Sequence, residues 1–250
     1  AVAVGSDVPR ANLTAITDFV KIAGGNQGRI LVLAGERTTQ GMALWRSALL
    51  KRGALSVVTE TNLTLSERVL SLALQEARGV LLLEDDRASL LRALDANGGN
   101  LGRILVDHLE KNDIPVLAAG NAVRLLGDRA HFGTPGDPQE FDLPGLGCLP
   151  RVVLDKRVWS QDGPETLLRA ALAVPASVAF GLSSDTALVI SGPQASVAGT
   201  GTVVVLDLQR ASGLRPAPLG SMRPSGVHGI GYSLLPPQSS YDLVSREPRS

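Results

Sequence analysis

The stretch Ile114-Pro115-Val116-Leu117-Ala118-Ala119-Gly120-Asn121-Ala122-Val123-Arg124-Leu125-Leu126-Gly127 decides how this chain is read. Its first half is a short apolar run of strand formers. The run turns on Gly120, and Ala122, Leu125 and Leu126 then recur at helical spacing. A buried strand, a tight turn and a helix start are expected. Such a turn exposes one residue at the end of its strand, and the helix N-terminus beyond favours negative charge there. Here that residue is a glycine, which brings no side chain to the site.

Upstream of this stretch, strands and helices alternate. Ala1 to Val4 reads as a first edge strand, Leu13 to Ala23 as a helix stopped by Gly24-Gly25-Asn26, and Arg29 to Ala34 as a strand covered on both faces. A helix at Thr39 to Arg52, a strand at Leu55 to Thr59, a helix at Leu65 to Ala77 and a strand at Val80 to Leu83 follow. Asn97-Gly98-Gly99-Asn100 separates two further helices, Ala88 to Leu94 and Leu101 to Glu110. The alternation predicts an α/β fold, a doubly wound and mostly parallel sheet with helices on both faces.

Downstream the character changes. Residues 131 to 150 read as a Gly- and Pro-rich acidic loop, Arg151 to Leu154 as a strand, and Pro164 to Ala173 as a helix. Val178 to Leu182, Ala187 to Ile190, Ala195 to Ala198 and Thr202 to Leu208 are short strands between turn residues, and Val227 to Leu235 is a last strand before a polar tail. One domain over residues 1–250 is expected: a core to 176, an antiparallel extension over 177–235, and the tail from 236.

Composition narrows the function classes. The 250 residues are 44% hydrophobic, 19% charged and only 3% aromatic, with Lys plus Arg equal to Asp plus Glu at 24 each. No basic stripe marks a nucleic-acid or anionic-membrane partner, no apolar run approaches the length of a membrane span, and aromatics are scarce for stacking bases or sugars. Cys148 is the single cysteine, which excludes an intrachain disulfide and argues against a cysteine metal site. Ala1 at the start suits the mature end left by signal-peptide cleavage and equally a trimmed chain, so an exported and a cytoplasmic setting stay open.

A strand, a sharp turn and a helix start also form the element on which α/β hydrolases hold a nucleophile. Several stretches in the right order resemble the cyanophycinase and peptidase E family of serine peptidases, whose fold is related to the class I glutamine amidotransferases. Gly181-Leu182-Ser183-Ser184-Asp185-Thr186-Ala187-Leu188, followed by Gly199-Thr200-Gly201-Thr202-Val203, resembles the family's Gly-Ile-Asp-Glu-Asp-Thr-Ala segment and the glycine-led strand after it. Gly145-Leu146-Gly147-Cys148-Leu149-Pro150 leading to Asp155 resembles the stretch ahead of the family's Asp-Gln-His-Phe motif. The opening stretch resembles the family's Gly-Thr-Ser-Ala-Gly-Ala elbow, and the amidotransferase elbow Pro-Val-Leu-Gly-Ile-Cys-Leu-Gly from Pro115.

The resemblance implies a flavodoxin-like or class I glutamine amidotransferase-like sheet with a C-terminal antiparallel extension, no cofactor and no metal, and an association into a homodimer or with other chains. It places the nucleophile on Gly120 and the catalytic histidine on Arg157. A guanidinium has no lone pair to accept a proton and cannot serve as general base. The family's Gly-Gly-Asp-Gln turn falls on Glu84-Asp85-Asp86-Arg87. Carboxylates facing the pocket there would oppose an oxyanion, at about 4 Å by roughly 1 kcal/mol in water and about 4 at an effective dielectric of 20. No catalytic residue is therefore assigned. The expected remnant is a pocket of Gly120, Asn121, Arg87, Asp86, Arg157 and Asp155, on an inactive structural, binding or partner subunit. A hydrolase of peptide or amide bonds using other residues, and a small anion-binding module, are the alternatives.

Each residue also has a plainer reading. Asp86 is expected to cap the helix beginning near Arg87 rather than to ligate a cation with Glu84 and Asp85. Arg87 and Arg157 are expected in salt bridges with Asp85, Asp86 or Asp155, against binding a carboxylate. Ser183 and Ser184 read as turn hydrogen-bonders, Cys148 as a small packed residue, and Gly199 with Gly201 as turn geometry rather than a phosphate cradle. His108 reads as a surface or partly packed residue, His228 shows no metal spacing, and His131 is the histidine closest in sequence to the elbow.

Overall fold

In the computed structural model of the chain, described for residues 1–10, 14–133, 136–156, 158–160, 162–221 and 225–249, the apolar runs become the strands of two packed sheets. The elements are β1 (Val2–Val4), α1 (Thr14–Ile22), β2 (Arg29–Ala34), α2 (Thr39–Lys51), β3 (Ser56–Thr61), α3 (Glu67–Glu76), β4 (Gly79–Glu84), α4 (Ser89–Lys111) and β5 (Val116–Gly120). There follow β6 (Arg129–Phe132), β7 (Phe141–Pro144), β8 (Val152–Lys156), α5 (Gly163–Ala173), β9 (Val178–Leu182), β10 (Thr186–Ser191), β11 (Gln194–Gly199) and β12 (Val203–Asp207). The chain closes with β13 (Ser212–Arg215), β14 (Gly226–His228), β15 (Gly231–Leu235), β16 (Ser240–Asp242) and β17 (Glu247–Arg249).

The described residues form a nine-stranded sheet in the order β17-β16-β11-β10-β1-β5-β4-β2-β3, and a four-stranded sheet in the order β15-β12-β9-β8. The run β1-β5-β4-β2-β3 is parallel, and β10, β11, β16 and β17 extend it antiparallel. The architecture is thus mixed α/β, with a parallel centre and antiparallel additions.

Period-two alternation sorts the side chains into layers. In β2, Ile30, Val32 and Ala34 face α1 and α2 with Phe19 and Trp45, while Leu31 and Leu33 face the opposite core with Leu70, Leu94 and Leu105. That second core also takes Phe180, Leu182, Val203 and Val205 from the small sheet, so the two sheets share it. The other face of the small sheet presents Val153, Ala179, Val204 and Leu206 to α5 through Leu167 and Ala171.

Several expectations change. The first strand is interior, paired to β5 on one side (Val2↔Leu117) and β10 on the other (Val2↔Val189), because its three residues are all buried. The two helices around Asn97–Asn100 are one, α4. Its apolar stripe of Leu90, Leu91, Leu94, Leu101, Leu105 and Leu109 is buried throughout, which outweighs the roughly 1 kcal/mol that each helical glycine costs. The positive φ of 74° at Gly99 is where the helix absorbs the irregularity. The loop at 131–150 contains the β6–β7 hairpin, and Val227 to Leu235 divides into β14 and β15 around the turn at Gly229. Leu13, expected to open α1, lies outside the described residues.

The segment after Pro236 is not a loose tail. It supplies β16 and β17, and Tyr241 is 2% exposed. Tyr241 meets Phe180 of the small sheet edge-on at 5.6 Å, and Arg246 bonds the Asp207 carboxylate at 2.7 Å. These last residues therefore join the two sheets. Tyr241→Ala is expected to lose about 3–5 kcal/mol in urea unfolding, as other buried aromatic truncations do. A loss below about 1 kcal/mol, the size of an ordinary surface change, would show that the segment does not fasten the sheets.

Candidate functional site

Parallel sheets offer their ligand sites beyond the carboxyl ends of the strands. There, past β4, β5 and β8, lies a cavity of about 760 Å³ lined among others by Asp86, Arg87, Asn121, Arg124, Asp155 and Lys156. The structure thus brings together four of the six residues expected from sequence, with Gly120 directly before Asn121. Arg157 lies outside the described residues.

Gly120 ends β5 with φ 60° and ψ −128°, a conformation that L side chains rarely adopt. The expected helix after it is a 3-10 segment, Asn121–Leu126, all of it buried. A Cβ on Gly120 would stand 1.9 Å from the Asp7 Oδ1 and 3.0 Å from the Asp7 Cα. Asp7 is held in place twice. Its backbone carbonyl accepts the indole N–H of the buried Trp45 at 3.0 Å, and its carboxylate accepts from Lys156 Nζ at 2.5 and 2.7 Å. Lys156 is 1% exposed at its side chain and Asp7 is 61% exposed, so water screens one partner of this pair and not the other.

Beneath it sits a fully buried pair. Arg124 Nε donates to Asp155 Oδ1 at 2.7 Å, its terminal nitrogen lies 2.6 Å from the same oxygen, and its other arm reaches Asn121 Oδ1 at 3.3 Å. The Lys156 backbone N–H also donates to Asp155 Oδ1, and the Arg124 guanidinium stands 5.3 Å from the Phe132 ring centre. Asp155 and Asn121 therefore line the cavity while being tied to Arg124. Arg87 makes no ion pair with another described residue, contrary to the salt bridge expected for it. Arg92 lies with its guanidinium 4.6 Å from the Phe141 ring centre.

The acidic turn behaves differently from expectation. Glu84 and Asp85 do not face the cavity; both are buried against the start of α4. Glu84 accepts the backbone N–H groups of Asp85, Leu90 and Leu91, and Asp85 accepts those of Arg37, Arg87 and Ser89. Glu84 and Asp85, not Asp86, accept the first N–H groups of α4, and the repulsion expected from them has no geometry through which to act. Burial pushes Glu84 up to about 7 against the pull of its three backbone donors. Burial also raises Asp85, but the Ser89 hydroxyl and the backbone N–H groups outweigh it and hold the carboxyl below its ordinary value. Gly35 permits this packing, since a Cβ there would lie 2.7 Å from Glu84 Oε1.

The remaining candidates are occupied elsewhere. His131 is buried between two carboxylates, Asp142 at 2.7 Å from Nδ1 and Glu140 at 3.2 Å from Nε2, the latter at ion-pair distance without hydrogen-bond alignment. Glu140, a cavity residue, is gripped by Arg169 through both oxygens at 3.0 Å. Ser183 Oγ bonds Thr186 and the backbone of Thr202, as a turn serine should. Burial pushes the Cys148 thiol up to about 11, so little thiolate forms near neutrality. His108 is half-buried and His228 exposed.

Sequence reading missed Asp7, Arg124, Lys156 and Glu140. A lone charge inside Ala-Val-Arg-Leu-Leu and an Asp-Lys pair closing an apolar strand were the available signals for two of them; Asp7 and Glu140 left none.

The geometry defines an α/β protein with a peptidase E-like fold. A crystal structure of a peptidase E candidate from Listeria monocytogenes EGD-e superposes with a TM-score of 0.58 at 11% identity, over 80% of this chain and 98% of that one. A peptidase from an acI-B1 Actinobacterium superposes at 0.54 and 14% identity, over 94% of this chain and 95% of that one. No sequence-family profile and no curated protein matches the chain. No described helix is long and apolar enough to cross a membrane.

Glu84 yields a stability prediction. The folded carboxyl keeps its proton to about pH 7, whereas the unfolded chain releases it near the ordinary value of 4.5. Between those values the folded state binds the extra proton, so stability falls as pH rises and levels off above. The full span is worth about 3 kcal/mol. Glu84→Gln is expected to remove that part of the slope in unfolding measured from pH 4 to 8; an unchanged slope would place the titrating group elsewhere.

Proposed function

We propose that this chain is a catalytically inactive protein on a peptidase E-like fold, a structural, binding or partner subunit that uses the cavity beyond β5 and β8 to hold a ligand rather than to cleave one. The observation that carries this reading is at Gly120. A strand-end turn with φ 60° and ψ −128° has the sharpness of a nucleophile turn, yet it carries no side chain. The volume where one would project holds the Asp7 carboxylate, fixed by Lys156. A negative charge at that point also opposes the anion that forms in acyl transfer.

The charges around the cavity support binding. Arg124 is answered by Asp155 and Lys156 by Asp7, while the exposed Arg87 lines the cavity without an ion-pair partner among the described residues. A small ligand with a carboxylate or similar anion fits that cation, which is the anion-binding version of the same reading. The related family's habit of pairing makes a homodimer the expected assembly, to be read by sedimentation equilibrium.

A fluorophosphonate probe and β-aspartyl and Asp-X dipeptides test the proposal. No serine should be labelled and no dipeptide turned over, and Gly120→Ser should remain inactive while losing about 1–3 kcal/mol to backbone strain. Labelling of the wild-type chain, or dipeptide turnover by it, would overturn the inactive reading; activity gained by the Gly120→Ser change would instead show that the Asp7 carboxylate does not block that position.

A further inference from the structure

A second cavity, of about 540 Å³, lies beside the first, the two sharing Ser160. It is lined by Trp159, Ser160, Ser183, Ser184, Asp185 and Thr200 among others. Of the chain's two tryptophans, Trp45 is fully buried and Trp159 is 58% exposed. An indole left in water at the rim of a cavity is an unusual use of a scarce residue type.

The walls around it carry hydroxyl side chains. The side chains of Ser160, Ser184 and Thr200 make no hydrogen bond to another described residue. The Asp185 carboxylate is half-exposed and carries one loose ion pair, to Arg10 at 3.5 Å. Ser183, by contrast, is committed to Thr186 and Thr202 and forms a rigid floor. Gly201 is required for that floor, because a Cβ there would lie 2.1 Å from Ser183 Oγ and 2.3 Å from Thr186 Oγ1.

We propose that this cavity binds a neutral saccharide, with one pyranose ring lying on the exposed face of Trp159 and its hydroxyls bonded to Ser160, Ser184, Thr200 and Asp185. Stacked C–H groups match an indole face, and a ring edged with hydroxyls matches a wall of hydroxyls and one carboxylate acceptor. Among the described residues the lining contains no lysine or arginine, the nearest cation being Arg10 on Asp185, which disfavours phosphate-bearing ligands such as nucleotides, and its single carboxylate disfavours acidic sugars. The cavity size lies within the range of small-ligand sites.

The two tryptophans make the test direct, since a ligand on Trp159 changes emission while Trp45 stays silent. The full chain is titrated with maltotriose, cellotriose and the trimer of N-acetylglucosamine up to tens of millimolar, with UMP as the contrast. At least one trisaccharide should give a saturable blue shift. Trp159→Ala should abolish the response, and the Ser184→Ala/Thr200→Ala pair, which keeps the indole, should weaken it about tenfold. Saturation-transfer NMR reads the same binding in Trp159→Ala independently of its lost fluorescence, and circular dichroism checks that the variants fold. No response to any trisaccharide, tighter binding of UMP than of all three, or full binding retained by Trp159→Ala would overturn the proposal. None of these results bears on serine labelling, so the inactive reading stands or falls separately.

Discussion

The carboxylate of Asp7 occupies the volume above Gly120, and the ends of the central strands are arranged around that fact. It requires a glycine in a left-handed turn at the end of β5, a carbonyl on Asp7 anchored by the buried indole of Trp45, and an ammonium from β8 to meet the charge. Each partner comes from a different part of the chain, and none of the three could be replaced alone. Enlarging residue 120 would displace the carboxylate, and removing Asp7 would take that carboxylate from the buried Lys156 ammonium. The contact is thus a steric and electrostatic lock on the turn at the end of β5.

How much of this was legible in the sequence depends on the range of the interaction. The strand bounds Arg29–Ala34 and Val178–Leu182 come out unchanged, because a continuous apolar run between turn residues is a local signal. Pairing is not local. Ala1 to Val4 looks like an edge by position and sits inside the sheet because β10 returns from the other end of the chain to cover it. The residues after Pro236 look polar, yet the one aromatic among them, Tyr241, is drawn into the core shared by both sheets. The Asn97–Asn100 break was misleading for the opposite reason, a true local preference overridden by a long apolar stripe.

The site divides in the same way. Gly120, Asn121, Asp86, Arg87 and Asp155 belong to strand ends that motif order could align, and four of them line one cavity. Asp7 could not be found so, since its partners are distant in sequence and its own neighbours spell no motif. The acidic turn was read at the right place and in the wrong direction. Three consecutive carboxylates suggest a field over the pocket, but α4 begins immediately after them, and its free N–H groups turn Glu84 and Asp85 inward.

That inward turn bears on the chemistry. Enzymes that move protons displace the pKa values of the groups that face their substrate. Among the described residues, the clearly displaced groups include Glu84, Asp85, Cys148 and Tyr241, and not one of them lines the large cavity. Their shifts come from packing: a carboxyl at a helix start, a thiol and a phenol inside apolar layers. Among the described residues, the cavity itself is lined by four cationic and four acidic side chains, Arg87, Arg92, Arg124 and Lys156 against Asp86, Asp137, Glu140 and Asp155. Several of these charges are already paired, Arg124 with Asp155 and Glu140 with Arg169. Among the described residues, these displaced groups are ones that hold α4 and the sheets together.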